Sequence, residues 1–305
     1  VVIFEAGTTD EVPYASFTLR GVDGYDLNDL LLYGEDLEEP LEFTIDPALI
    51  ETITGGAGGD RITLNDSQTG LGLGGNDVLI ANDQSIAYGG DGNDSITASD
   101  ISQAYGGDGD DTLFSAGDVQ TVLHPSLDGG NGNDVLSGIG ELHGGAGNDL
   151  LTPNATGSLF NGSDSYDGAV YGEGGDDTIR GDSGAFQVTN SIPIYGGAGN
   201  DLIVMDVLNG PAGAINAGSG NDVVIVGSQT GGGIITLGAG ADVLALDVLD
   251  VDPSEFMNLA AAHRITDFNP ATDQLALIAP EATIDAPVFI SWNATTNVTT
   301  ISLSE

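Results

Sequence analysis

The fold is decided by a nine-residue stretch, GGDGNDSIT at residues 89–97, because that stretch recurs along most of the chain. Six copies keep every fixed place of the pattern G-G-x-G-x-D-x-U-x, in which U is a large aliphatic residue. Four more copies each lack one glycine, since Leu73, Glu173, Ala217 and Leu237 stand where a glycine is expected. Self-similarity of this kind predicts a solenoid of stacked turns. The sixth place is aspartate in all ten copies: Asp60, Asp77, Asp94, Asp111, Asp134, Asp149, Asp177, Asp201, Asp222 and Asp242.

The residue types in this pattern suit a site for a cation. Glycines permit positive backbone dihedral angles and tight curvature, which turn carbonyl oxygens toward a common point. Calcium takes about six to eight oxygen ligands, from carboxylates and carbonyls alike. One aspartate and several carbonyls per turn supply half of such a site, and two stacked turns complete it. We therefore expect calcium ions in the gaps between consecutive turns, up to about nine of them for ten turns.

The repeat resembles that of the RTX family, also called the hemolysin-type calcium-binding repeat, over roughly residues 50 to 245. The resemblance implies an all-β fold in which the first six places bind calcium and the last three form a short strand. It further implies that successive turns stack into a right-handed parallel β-roll or β-helix of about ten coils. The metal ligands are expected from the ten aspartates and from the backbone of glycines in the second and fourth places: Gly56, Gly58, Gly90, Gly92, Gly107, Gly109, Gly130, Gly132, Gly145, Gly147, Gly197, Gly199, Gly218 and Gly220.

The spacing of the copies departs from the tandem pattern of that family, in which one nonapeptide follows another directly. Successive sixth-place aspartates are 17, 17, 17, 23, 15, 28, 24, 21 and 20 residues apart. Each coil therefore has room for one complete motif and one plain half-turn. This predicts that calcium lines one edge of the solenoid and not both.

Two columns of apolar residues predict the core. One column is the aliphatic eighth place of each motif, from Ile62 to Leu244, and the other lies two residues before each motif, from Ile53 to Ile235. Both columns fit inward-facing strand positions. Such a core is only one side chain deep per column, so bound ions are expected to contribute much of the stability.

A third column is aromatic and is predicted to point outward. Tyr88, Tyr105, Tyr171 and Tyr195 follow the second apolar column by one residue, with His143 in the same phase. We interpret them as a stabilising stack along one face of the solenoid, and a platform that binds polysaccharide is the alternative.

The late strands are apolar at their outward positions, as at residues 202–204, 223–225 and 243–245. A strand that is apolar on both faces is usually covered on both faces. We expect the tail from about residue 246 to fold back over these coils. Cover by another chain, through self-association, is the alternative.

The chain divides into three predicted parts. Residues 1–50 lack the repeat and are expected to form an N-terminal cap, residues 51–246 form the calcium-binding solenoid, and residues 247–305 form a C-terminal cap. Caps are expected because the open end of a solenoid exposes a strand edge.

Within the predicted caps, short elements can be read from the pattern. Residues 26–33 read as an amphipathic helix and residues 253–263 as a second helix. Residues 264–277 resemble the segment I-x-D-F-x-P-x-x-D-x-L-x-L that often closes RTX arrays. Residues 288–292 and 298–303 read as the strands of a hairpin.

Composition excludes several classes of partner and reaction. The chain has 47 acidic residues against four basic ones, a formal net charge of -43, and all four basic residues are arginines. Nucleic acid and anionic membranes are therefore not expected as partners, and no apolar stretch is long enough for membrane insertion. The absence of cysteine removes disulfides, thiolate metal sites and thiol nucleophiles. No catalytic motif or shared histidine spacing is present, so no catalytic residues are predicted.

Two hypotheses for function remain at this stage. The first is a non-enzymatic, calcium-loaded protein that a Gram-negative bacterium secretes through a type I system, that folds outside the cell, and that serves at the cell surface in adhesion or assembly. The second is that the chain is the calcium-binding module of a secreted hydrolase or epimerase whose catalytic domain lies outside this segment. A cell-surface or polysaccharide ligand is compatible with either.

Overall fold

A computed structural model gives the structure of the protein and describes residues 52–116, 125–153, 168–181, 192–207, 214–229, 233–247, 264–278, 288–293 and 298–303. The predicted N-terminal cap and the two predicted helices lie outside these residues. The three domain boundaries stay predictions. Within the described residues, no helix is long and apolar enough to cross a membrane.

The described residues form two long, mostly parallel sheets. From β1 to β22 successive strands alternate between the two sheets, with each motif turn leading from sheet A into sheet B. Sheet A contains β1 (Thr52–Thr54), β3 (Thr69–Gly74), β5 (Ile86–Asp91), β7 (Gln103–Asp108), β9 (Ser126–Asn131), β11 (Glu141–Ala146), β13 (Val170–Gly174), β15 (Ile194–Ala198), β17 (Ala214–Ser219), β19 (Ile234–Thr236), β21 (Arg264–Ile265), β24 (Val298–Leu303) and β23 (Val288–Asn293). Sheet B contains β2 (Arg61–Leu64), β4 (Val78–Ala81), β6 (Ser95–Ser99), β8 (Thr112–Ala116), β10 (Val135–Gly138), β12 (Leu150–Pro153), β14 (Thr178–Gly181), β16 (Leu202–Val207), β18 (Val223–Gln229), β20 (Val243–Asp247) and β22 (Gln274–Ile278).

One strand of each sheet makes a coil, and the coils are numbered here from coil 1 (β1 and β2) to coil 11 (β21 and β22). The predicted all-β parallel solenoid is confirmed. The coil count exceeds the predicted ten by one, because residues 264–278 add a coil that has no glycine motif. In that coil Ile265 pairs with Ile235, and Leu275 pairs with Leu244.

The two predicted apolar columns form the core. All ten eighth-place aliphatics are at most 5% exposed, and the facing column is equally buried from Ala87 to Ile235. Ile53, at the first coil, is the half-buried exception. Neighbouring members of a column are direct strand partners, as Leu136 is of Leu113 and Leu151. The core is therefore a double ladder whose register places every motif turn directly above the one before it.

The aromatic column lies on the outer face of sheet A, as predicted. The rings of Tyr88 and Tyr105 stack with centroids 4.8 Å apart, and Tyr171 stacks between His143 at 4.5 Å and Tyr195 at 4.9 Å. Asp128 separates the two groups, because β9 lies between β7 and β11. The rings contact one another through their faces, which supports the interpretation as a stabilising stack.

The C-terminal residues extend the sheets. β23 and β24 form the predicted antiparallel hairpin, and β24 joins sheet A by pairing with β21. Of the tail that was expected to cover the late coils, residues 264–278 instead continue both sheets as coil 11. Residues 248–263 lie outside the described part of the chain, so the expected cover stays a prediction.

Candidate metal centre

The motif turns line one edge of the roll, here called the aspartate edge. In coils 2 to 9 each turn connects a strand of sheet A, which ends at the third place of the motif, to a strand of sheet B, which begins at the seventh; in coils 1 and 10 the strand of sheet A ends just before the motif. The sixth-place aspartates thus form a single column. In every coil from 1 to 9, the backbone N–H of this aspartate donates to Oδ1 of the aspartate in the next coil, at 2.7 to 3.0 Å.

The second carboxylate oxygen, Oδ2, is the unusual atom of this column. Among the described residues, nine of the ten aspartates have a buried Oδ2 that accepts no hydrogen bond. Asp60 of coil 1 is the exception, because its Oδ2 accepts the N–H of Gly56 at 2.6 Å. Buried oxygens without a partner cost free energy, so a column of them fits a row of cation ligands. The nine are Asp77, Asp94, Asp111, Asp134, Asp149, Asp177, Asp201, Asp222 and Asp242.

The glycine in the first place of the motif was not among the predicted site residues, yet it lies closest to these oxygens. A Cβ on Gly106, for example, would overlap both Oδ2 of Asp111 and the carbonyl oxygen of Gly129 in the next coil. We call this space the cradle of a coil. A cradle with an unpartnered Oδ2 beside a glycine occurs in coils 2 to 8, at Gly72, Gly89, Gly106, Gly129, Gly144, Gly172 and Gly196. The repeated first-place glycine was a sequence signal that could have identified it.

The predicted glycines of the second and fourth places reach the same edge, but they permit close stacking of the turns. Gly107 and Gly109 have φ of 119° and 136°, and a Cβ on either would overlap a backbone carbonyl of the coil before. Leu73 and Glu173 replace the second-place glycine and keep a positive φ, of 76° and 73°. The backbone course is thus the same in those coils. Gly56 and Gly58 of coil 1 lack the positive φ, so the first turn differs from the rest.

Electrostatics within the column oppose the charged form of the aspartates. Burial raises the pKa of Asp111 and Asp177 to about 7 and that of Asp134 and Asp222 to about 6, and neighbouring carboxylates add to the rise. The backbone N–H that each accepts offsets part of this effect. The pKa of Asp94, Asp149, Asp201 and Asp242 is raised in the same direction, again mainly by burial.

A second ladder, at the fifth place of the motif, was also missed by sequence reasoning. Asn148 Oδ1 accepts the backbone N–H of Asp176 in the next coil at 2.8 Å, and its own N–H donates to Asn133 Oδ1 at 2.9 Å. Equivalent bonds of 2.7 to 3.1 Å link coils 2 to 10. They run opposite to those of the sixth place, so the turns are tied in both directions. The signal was an asparagine or aspartate at the fifth place in eight of the ten copies.

The arrangement fits a hard cation that takes most of its ligands from the backbone. Among the residues that the structure describes, no three Asp, Glu or His side chains converge on one point. Each cradle of coils 2 to 8 offers instead one unpartnered carboxylate oxygen and a backbone carbonyl of the next coil. Calcium accepts irregular sets of carboxylate and carbonyl oxygens, whereas magnesium demands near-octahedral geometry.

Comparison with known proteins gives one match. A family model described as the RTX calcium-binding nonapeptide repeat, in four copies, matches residues 86–100, 103–118, 126–138, 141–154, 161–185 and 194–204. Searches of curated proteins and of solved structures gave no significant match. The matched segments from 86 to 154 and from 194 to 204 lie in coils 3 to 6 and coil 8, where the first-place residue is always glycine.

Proposed function

We propose that this chain is a calcium-binding RTX repeat protein, whose aspartate edge binds calcium ions in the gaps between coils as part of a secreted structural protein; the match of the RTX repeat model to six segments between residues 86 and 204 supports this proposal. The observation that carries the proposal is the column of buried Oδ2 atoms without a hydrogen-bond partner. Each lies beside a carbonyl oxygen of the next coil in the cradles of coils 2 to 8. We propose the sixth-place aspartates and the turn carbonyls as the ligands.

Calcium at these gaps would couple binding to folding. The aspartates of neighbouring coils lie one strand spacing apart, about 4.8 Å, and repel one another while they are charged. The core is one side chain deep in each column, so it offers little apolar burial to offset this repulsion. Binding to the folded chain alone converts binding free energy into folding free energy. Coils 2 to 8, which contain the cradles, would then stay unfolded where calcium is scarce and fold where calcium is abundant.

This coupling suits export. Sites of extracellular type have dissociation constants of about 0.1 to 1 mM, far above the calcium concentration of a cytosol. The resemblance to RTX proteins implies type I secretion by a Gram-negative bacterium, and a chain that is unfolded before export meets the needs of that route. Outside the cell we propose a non-enzymatic role in adhesion or assembly. The stacked aromatic column on the outer face of sheet A offers a regular surface for such a role.

A calcium titration followed by circular dichroism tests the proposal. The chain, purified in chelator at neutral pH, is expected to gain most of its β signal cooperatively, with a midpoint at about 0.1 to 1 mM calcium. Magnesium at the same concentrations is the control and is expected to restore little of the signal. A chelated chain that already shows the full β signal would refute the proposal.

A further inference from the structure

The ten motif copies differ at their first place, and the difference concerns the cradle directly. The unpartnered Oδ2 atoms alone would predict nine equivalent sites, from Asp77 to Asp242. In coils 9 and 10, however, Ala217 and Leu237 stand at the first place, aligned with the first-place glycines by the strand pairing. Both side chains are fully buried.

A side chain at the first place is incompatible with the positions that the carboxylate and carbonyl oxygens take in coils 2 to 8. A Cβ at the first place of coils 2 to 8 would overlap the carboxylate oxygen and the carbonyl oxygen that face each other there. Ala217 and Leu237 have such a Cβ. A cation needs about six to eight oxygens around it, and a methyl or isobutyl group beside the carboxylate removes space without adding a ligand.

Coil 11 gives independent support at the last gap. Asp267 accepts the N–H of Leu237 at 2.9 Å and the N–H of Gly238 at 2.8 Å, so both of its oxygens are used. Asp273 stands in the aspartate column but its Oδ2 accepts the N–H of Asn269 at 2.7 Å, and its Oδ1 accepts the hydroxyl of Thr272 at 2.9 Å. The carboxylates that coil 11 brings to this edge are therefore satisfied by protein donors.

We infer that the array has seven equivalent calcium sites, beside Asp77, Asp94, Asp111, Asp134, Asp149, Asp177 and Asp201, and that Ala217 and Leu237 close the corresponding space beside Asp222 and Asp242. The inference rests on the proposed function, because it assigns which motif copies take up the ion. Coil 1 also has a first-place glycine, Gly55, but the Oδ2 of its aspartate already accepts the N–H of Gly56. Among the nine copies whose Oδ2 is unpartnered, the first-place residue decides whether the copy binds.

Native mass spectrometry at saturating calcium counts the ions on each chain and tests the inference. The wild-type array is expected to hold seven. Ala217→Gly reopens a cradle and is expected to add one ion, and Gly106→Ala fills a cradle and is expected to remove one. Gly106 lies outside the left-handed region of φ, so the substitution acts through the space that the Cβ fills.

Thr112→Ala is the matched control, since Thr112 is an exposed residue of β8 in the same coil as Gly106 but outside the turn, and the count should not change. Nine ions on the wild type, or an Ala217→Gly count equal to that of wild type, would overturn the inference and leave the proposed function intact. No bound calcium on any variant would overturn both. Because Ala217→Gly removes only one methyl group, it gives the decisive count even when Gly106→Ala fails to fold.

Discussion

Coils 2 to 8 and coils 9 to 11 continue the same two sheets but are stabilised differently. In coils 2 to 8 the first place is glycine, and an unpartnered carboxylate oxygen faces a carbonyl across the cradle. In coils 9 and 10 the buried carbon side chains of Ala217 and Leu237 occupy that place, and Val226 and Leu246 of the following strands add to the same apolar core. Coil 11 adds the carboxylate of Asp267, which accepts two backbone amides. Successive turns can thus be held together in two ways. One uses carboxylate and carbonyl oxygens that need a cation between them, and the other uses apolar contacts and hydrogen bonds that need none.

The two regions should differ most in the rate at which their backbone amides exchange with solvent after calcium is removed. In chelator at neutral pH, the amides of β6 and β8 are expected to exchange with solvent at least about tenfold faster than those of β18 and β20, because a solenoid loses its coils locally. Hydrogen–deuterium exchange read by peptide mass measures both. With excess calcium the difference should narrow to less than about threefold. Loss of protection in a single step along the whole array would contradict the comparison.

In the absence of calcium, protonation of the buried aspartates should restore part of the stability of the fold. The folded-state pKa of Asp111 and Asp177 is about 7, raised from 3.8 by burial and by neighbouring carboxylates. The folded chain therefore holds protons more tightly than the unfolded chain, and the stability that they contribute is complete below about pH 4 and is lost as pH rises through about 7. In chelator, the β signal in circular dichroism is expected to be larger at about pH 5 than at about pH 7.5.

The control for this second prediction is the calcium-loaded chain. Its β signal should not rise on the same acidification, because protons compete with the ion for the same oxygens. The measurement at about pH 5 stays above the isoelectric point of about 4.1, so the chain keeps a negative charge. A β signal in chelator that falls between about pH 7.5 and pH 5 would contradict the assignment of the raised pKa values.

The sequence predicted the parts of this fold that depend on repetition. The aspartate column, the two apolar columns and the outward tyrosines all follow from the motif spacing, because a solenoid places equivalent residues one above another. The repeated first-place glycine marked the position of the cradle, but what the cradle contains depends on where a Cβ at the first place would point, and this follows only from the structure. The role of Asp267 also escaped prediction, because coil 11 has no glycine motif and its two hydrogen bonds join residues 29 and 30 positions apart.

The smallest expected effect comes from removing one hydrogen bond of the fifth-place ladder, which links coils 2 to 10 and so runs through both regions. Asn148→Ala removes the acceptor for Asp176 N–H, and Asn221→Ala removes the acceptor for Ala241 N–H. Each should lower the free energy of unfolding in calcium by about 0.5 to 1.5 kcal/mol, and by similar amounts, because one exposed hydrogen bond is lost in each region. Denaturant unfolding at saturating calcium measures both.

Asn148→Asp is the control for this ladder, because it keeps an oxygen at the acceptor position and should retain most of the stability. The bound-calcium count should be the same in all three variants. An Asn148→Ala chain that loses an ion, or that is destabilised by more than about 3 kcal/mol while Asn221→Ala is not, would show that the fifth place belongs to the metal site of coils 2 to 8. The boundary between the two regions would then involve the side chain at the fifth place as well as the first.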